Sequence, residues 1–400
     1  MPSHSEASGP SGSDSRRIHV NEPLKLPRVE WHTAPPNCVD QCSSPSGKQT
    51  IKIRYGTIIE GRGNGVQVVE IDNGPLQVTL LPTRGMSIWQ IICDGVPFKW
   101  NSPIDGPVNP ALVPVFDPSG LGWLEGFDEM MVRCGLVSNG APEFDAESNW
   151  RFPLHGRIAN LPAERIWCEA DDNGIVLAGD VREQRLFFNN LQLTARIRID
   201  FDSRVVEIDD TVKNLASTAM ATQMLYHINI GKPVLDAGSR LVAAVKQMAP
   251  RDQRAAEMID SWDIYDEATS GYSEVVNFFR MVADKDDQAE VLLESSAAET
   301  GMGVAWDTST LPCFVQWKNT AADQDGFVTG LEPGTNFPNT KSFEAQQGRV
   351  VTLEPDGQVS YRVSLSPLVG RAAVGEYRSQ VESLAAGVES VIHSQPQSFK

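Results

Sequence analysis

Three titratable side chains stand where proton chemistry would need them: His155, His227 and Glu332. A carboxylate and an imidazole have ordinary pKa values of about 4.3 and 6.5, so together they bracket neutrality and can serve as general base and general acid. The chain has six histidines, and His4, His19, His32 and His393 fall in the terminal arms or tail. Only His155 and His227 lie in the stretch that reads as sheet. In "ATQMLYHINI", alternation puts Gln223, Leu225, His227 and Asn229 on one face and Met224, Tyr226, Ile228 and Ile230 on the other. The second face reads as core. The first is a polar strip that needs either a cleft above it or structural partners, because buried polar groups are hydrogen-bonded. His155 precedes Gly156, whose missing side chain lets another group approach closely. Glu332 closes "GFVTGLEP", where Val328, Gly330 and Glu332 share a face and Gly330 leaves room beside the carboxylate. Glu332 is then either a solvated turn charge or a base at the rim of a cleft. In "FVQWKNT", Phe314, Gln316 and Lys318 share a face, and Lys318 is either a surface charge or a cleft cation.

The elements that must position these residues are strands. "LQLTARIRID" sets Leu191, Leu193, Ala195, Ile197 and Ile199 against Gln192, Thr194, Arg196, Arg198 and Asp200, the pattern of a strand with one wet face. "VQVVEID", "SIWQIICDG", "RVVEIDDTVKNL", "CFVQWKN" and "QVSYRVSLSPL" read the same way, punctuated by Asp94-Gly95, Asn173-Gly174 and Asp356-Gly357 turns. Many strands with regular turns predict an all-β chain, a large antiparallel β-sandwich over 50–370. Residues 1–49 read as a disordered or irregular arm, Ser/Gly/Pro-rich up to about Ser15. Residues 371–400 read as a C-terminal helix and tail, with Val374, Tyr377, Val381, Leu384, Val388 and Val391 as an apolar stripe. From Asn101 to Asn149 the chain is dense in Gly, Pro, Asn and acids around Trp123 and Phe127, the composition of a lid or binding loop.

Several functions are disfavoured. The 400 residues carry 34 basic and 52 acidic side chains, a formal charge of -18, with no basic stripe for a nucleic-acid backbone. No apolar run reaches the roughly 20 residues that span a bilayer, and the N-terminus lacks the apolar segment of a secretory signal. "GRGNGVQ" has glycines but no following helix pattern to cradle a phosphate. The six cysteines form no disulfide framework, and Cys38, Cys42 and His32 lack a second ligand pair for zinc. A reducing cytoplasm is the expected location, with the chain a monomer or, through its C-terminal helix, a homodimer.

Taken in order, "LHGR", "DDTVKNLASTAMATQMLYHINIG" and "GLEPGTNFPN" resemble the aldose 1-epimerase (galactose mutarotase) superfamily. The likeness runs from about Thr50 to Pro367. With "LPTRGMSIW" early and "RCGLVSNGAPEFD" in the middle, the chain is most similar to a divergent branch of aldose 1-epimerase family proteins whose substrates are largely unassigned. The resemblance implies a galactose mutarotase-like supersandwich and a small-molecule sugar as ligand, with no metal or other cofactor. It implies Glu332 as base and His227 as acid, with His155 binding a hydroxyl near the ring oxygen. The "GRxxNRI" block of better-known members is absent, so Arg84 and Arg133 are the candidates for the sugar-binding arginine. Asn229 and Lys318 are further candidate contacts, and Trp123 or Trp317 would stack on an apolar sugar face.

Such a site would open the hemiacetal ring, let the aldehyde turn about C1–C2, and close it again. Three alternatives stay open on sequence. His155, His227 and Glu332 could form a His₂Glu metal site, although the helical spacing of zinc hydrolases is missing. The same acid and base could serve an isomerase or lyase on a keto-sugar or uronate. A carbohydrate-binding protein without catalysis would need the cleft alone.

Overall fold

A computed structural model describes residues 22–399. The chain builds two large antiparallel sheets and a two-stranded hairpin. The first sheet has fifteen strands. Its middle runs, in spatial order, through Ser87–Cys93, Met131–Leu136, Met220–Ile230, Val328–Gly334, Cys313–Asn319, Val275–Met281 and Val245–Pro250. The second has eight, with Gly174–Arg185, Asn189–Asp200, Val206–Asn214 and Gln358–Val369 as successive neighbours. The alternation read from sequence is what joins them. Met224, Tyr226, Ile228 and Ile230 of the first sheet and Leu191, Leu193, Ile197 and Ile199 of the second lie in one buried cluster, the inner layer of a sandwich.

Three boundaries differ from expectation. Strands begin before Thr50: Val29–His32 and Gln41–Ser43 both pair with Thr50–Ile58. The first 21 residues of the expected arm lie outside the described residues. The C-terminal helix is shorter than its stripe, Arg371–Leu384, docked through buried Val374 and Val381 onto Val242 and Leu292. Val388 and Val391 are not on it. Gly387 takes a left-handed turn (φ 77°), and Val391–Ile392 pairs in parallel with Val245–Pro250. The loop-rich stretch 101–149 also contains a central strand, Met131–Leu136, hidden in the sequence by its polar and glycine residues. No helix among the described residues is long and apolar enough to cross a membrane.

Candidate active site

The face of the first sheet that turns away from the core carries the candidate residues. Leu225 pairs with Gly334 and Ile228 with Leu331, a register that sets His227 across from Glu332. His227 Nε2 lies 3.1 Å from Glu332 Oε1, with both side chains almost fully buried. Gly330 makes the contact possible, since a Cβ there would stand 2.5 Å from Glu332 Oε1 and 3.0 Å from His227 Cε1. The two side chains thus touch each other directly.

The second imidazole arrives on a loop. His155 has a left-handed backbone (φ 56°), and Gly156 follows at φ 73°. A Cβ on Gly156 would sit 2.0 Å from Ser138 O and 2.4 Å from Gly135 O, so only glycine fits. His155 O accepts from Gly135 N, and Gly135 O accepts from Arg157 N. These bonds stitch the loop to the strand beside the His227 strand. The two imidazole centroids are 5.3 Å apart.

The hydrogen-bond partners limit where protons sit. Asn229 Nδ2 donates to Glu129 O (2.9 Å), which leaves Asn229 Oδ1 to accept from His227 Nδ1 at 2.6 Å. The lone pair of a neutral His227 then lies on Nε2, toward Glu332. Burial drives the Glu332 carboxyl well above its ordinary value, with the Glu274 charge adding to the rise. Burial drives His227 well below its own, helped by repulsion from His155. Both shifts favour the uncharged pair, a carboxylic acid beside a neutral imidazole. His155 Nδ1 donates to Asn139 O (3.1 Å), and burial holds this ring down at about 4, so it too is neutral.

Aromatic side chains close around the trio. Trp123 lies 4.7 Å from His155 and 4.6 Å from Phe127, and Trp317 lies 5.4 Å from His227 (centroid distances). They belong to a cavity of about 380 Å³ that all three titratable residues line. The short turn Gly122–Gly126 carries Trp123 and Leu124 over it as a roof.

Three candidates from sequence are elsewhere. Arg133 projects into the core, where Asp210 accepts from its Nη2 at 3.0 Å and Tyr226 OH bonds the same carboxylate at 2.8 Å. Lys318 also points to the core side. Its ammonium donates to the carbonyls of Ser261, Trp262 and Ile264, and burial pushes it down to about 8. Strand parity explains this: Lys318 neighbours Trp317, so the two cannot share a face. Arg84 is buried beneath the roof, donating to Glu129 Oε1 (2.8 Å), Asn160 Oδ1 and Gly126 O. None of these three lines the cavity, and neither does Asn229, a further expected contact, whose amide is buried between His227 and Glu129 O.

Two charged residues unmarked by the sequence reading do line it. Arg251 Nη1 donates to Glu274 Oε1 (2.9 Å), and Trp317 Nε1 donates to Glu274 Oε2 (2.8 Å). Both sit just outside strands, in "APRDQ" and "YSEVV", where alternation stops carrying information about direction. Among the described residues, no group of three or more His, Cys, Asp or Glu side chains is placed to hold a metal ion.

Residues 63–366 match the model of a family described as a domain of unknown function, DUF4432. No curated protein matches the chain. A "putative aldose 1-epimerase" from Klebsiella pneumoniae superposes with a TM-score of 0.85 at 29% identity, over 93% of this chain and 100% of that one. A galactose 1-epimerase from Lactobacillus acidophilus gives 0.53 at 13% identity, over 80% and 99%. A galactose mutarotase-like protein from Clostridium acetobutylicum gives 0.56 at 13%, over 80% and 99%.

Proposed function

This chain belongs to the DUF4432 family and has the galactose mutarotase-like fold, and on that premise we propose that it is an isomerase that interconverts the anomers of an aldose. The observation that carries the reading is the His227–Glu332 contact, an imidazole and a carboxyl 3.1 Å apart that both line a monosaccharide-sized cavity.

The chemistry needs one proton to leave and one to arrive. Transfer of the proton from Glu332 to His227 Nε2 across their 3.1 Å contact makes Glu332 a carboxylate and His227 an imidazolium. A sugar settling over the pair presents its C1 hydroxyl to Glu332 and its ring oxygen to His227. Glu332 takes the hydroxyl proton as His227 Nε2 gives its own to the ring oxygen, and the C1–O5 bond breaks. The pair again holds one proton, now on the carboxyl. The open-chain aldehyde turns about C1–C2, and the reverse transfers close the ring with either configuration. No proton is drawn from solvent, which suits a buried pair. Asn229 fixes the His227 tautomer, and His155, neutral, accepts a hydroxyl hydrogen near the ring oxygen. Trp123, Phe127 and Trp317 supply apolar surface for the carbon face of a sugar ring.

A cytoplasmic location belongs to the same proposal and is supported by six unpaired thiols. NMR exchange spectroscopy on freshly dissolved aldoses tests the function. Catalysed α/β exchange without constitutional change is expected, slowed on the order of 10²-fold or more by Glu332→Gln. Exchange untouched by that substitution, or a product with a rearranged carbon skeleton, would overturn it.

A further inference from the structure

The cavity's charged and titratable side chains fall into two sets. The His155–His227–Glu332 trio is one, and the Arg251–Glu274 pair, joined to Trp317 Nε1, is the other. The register links them: Glu332 pairs with Val315, Val315 with Phe278, and Phe278 with Ala249, two residues before Arg251. Glu332 is thus two strand spacings, about 10 Å, from the strand that Glu274 precedes and three, about 14 Å, from the strand that Arg251 follows. Much of the remaining lining is apolar: Val315 and Val276 on the sheet, with Leu121, Leu124 and Leu154 from loops. None of these five side chains can hydrogen-bond a hydroxyl. Leu121 and Leu124 remain 45% exposed without a ligand, apolar surface that an occupant would cover.

Charge in the second set is already balanced. Arg251 donates to Glu274 and, through Nε at 3.0 Å, to Asp252. One guanidinium therefore faces two carboxylates, a net negative site that repels a phosphate or a uronate. Its remaining N–H bonds and the free lone pairs of Glu274 instead match two neighbouring hydroxyls, one accepting and one donating.

We propose, resting on the anomer-exchange reading above, that the substrate is an uncharged 6-deoxyhexose, its two adjacent hydroxyls clamped by Arg251 and Glu274 and its methyl group set against the Leu/Val wall. A hydroxymethyl group in that place loses water against leucine without gaining a partner. A methyl group does not.

Matched pairs that differ only at C6 test this: D-fucose with D-galactose, L-rhamnose with L-mannose, 6-deoxy-D-glucose with D-glucose, and D-galacturonate as the anion. For at least one pair, kcat/KM for exchange is expected to favour the deoxy sugar by about 10-fold or more, with galacturonate slowest. Equal or faster turnover of the hydroxylated member in every pair, or preference for the uronate, would overturn the proposal. If no sugar is exchanged, the anomerase reading fails, and the order of Kd values from tryptophan fluorescence titration decides the preference instead. Deoxy sugars binding tighter uphold it, and no binding or the reverse order overturns it. Glu274→Gln is expected to raise KM for the preferred sugar by about 10-fold with kcat within about 3-fold, and to narrow the gap to galacturonate. An unchanged KM would remove the clamp.

Discussion

Tyr226 and His227 are neighbours on one strand and point into different worlds. Below the sheet, Tyr226 joins Arg133 and Asp210 in a cluster whose hydrogen bonds are used up: Asp210 accepts from Arg133 and Tyr226, and Arg133 Nη1 donates to Met86 O (2.7 Å). Above it, His227 joins Glu332 and His155 at a cavity, and among the described residues the imidazole is the one group the Glu332 carboxyl pairs with. Both clusters are buried, both contain an acid, and both shift proton affinities. What separates them is hydrogen-bonding capacity left over. A saturated buried ion pair fixes structure, while an unsaturated pair beside an open volume can exchange protons with something that enters it.

The contrast can be broken by substitution. The largest effect is expected below the sheet. Asp210→Ala strands the Arg133 guanidinium in the core and should cost about 3–5 kcal/mol of stability, read as a fall in the urea midpoint. Next comes Glu332→Gln, where the direction reverses. Exchange falls on the order of 10²-fold, about 2.7 kcal/mol of barrier, while the urea midpoint holds or rises because no buried charge has to be formed. A Glu332→Gln protein as destabilised as Asp210→Ala would erase the distinction.

Smaller still is Gly330→Ala. Its methyl would enter the space between Glu332 Oε1 and His227 Cε1, and overpacking costs about 1–3 kcal/mol. Exchange is expected to fall by about 10-fold, with thermal melting and NMR as the two readings. The smallest effect concerns pH. His155 is held down at about 4 from an ordinary 6.5, so it stays neutral when folded. Its contribution is fully present above 6.5 and is lost as pH falls toward about 4, because the unfolded chain takes up the proton first. His155→Gln lacks that loss. The difference between its urea midpoint and that of the natural protein should shrink toward zero or change sign between pH 7 and pH 5, and a constant difference would mean that folding does not lower the His155 pKa.

Period two made much of this legible from sequence, and where it stops so does the reading. It gave both faces of the His227 strand and the shared face of Gly330 and Glu332, the juxtaposition on which the candidate site rests. It also held the correction for Lys318, since a residue beside Trp317 must face the other way. Arg133 alternates with Cys134, but nothing local says which of them meets the core, because that depends on pairing with the His227 strand. Arg251 and Glu274 follow or precede their strands by one residue, where direction is set by turn geometry. The helix stripe over-ran to Val391 because apolar spacing continues past Gly387, while the backbone turns there and pairs with a strand instead.

Arg84, absent from the cavity lining, ties two parts of the site together. Its guanidinium holds Gly126 O of the roof and the Glu129 side chain, and the Glu129 carbonyl anchors the Asn229 amide that orients His227. Lifting the roof therefore pulls on the residue that dictates which imidazole nitrogen bears hydrogen. One guanidinium thus joins the turn that carries Trp123 to the residue whose carbonyl sets the His227 tautomer, so the two parts of the cavity lining share a single support.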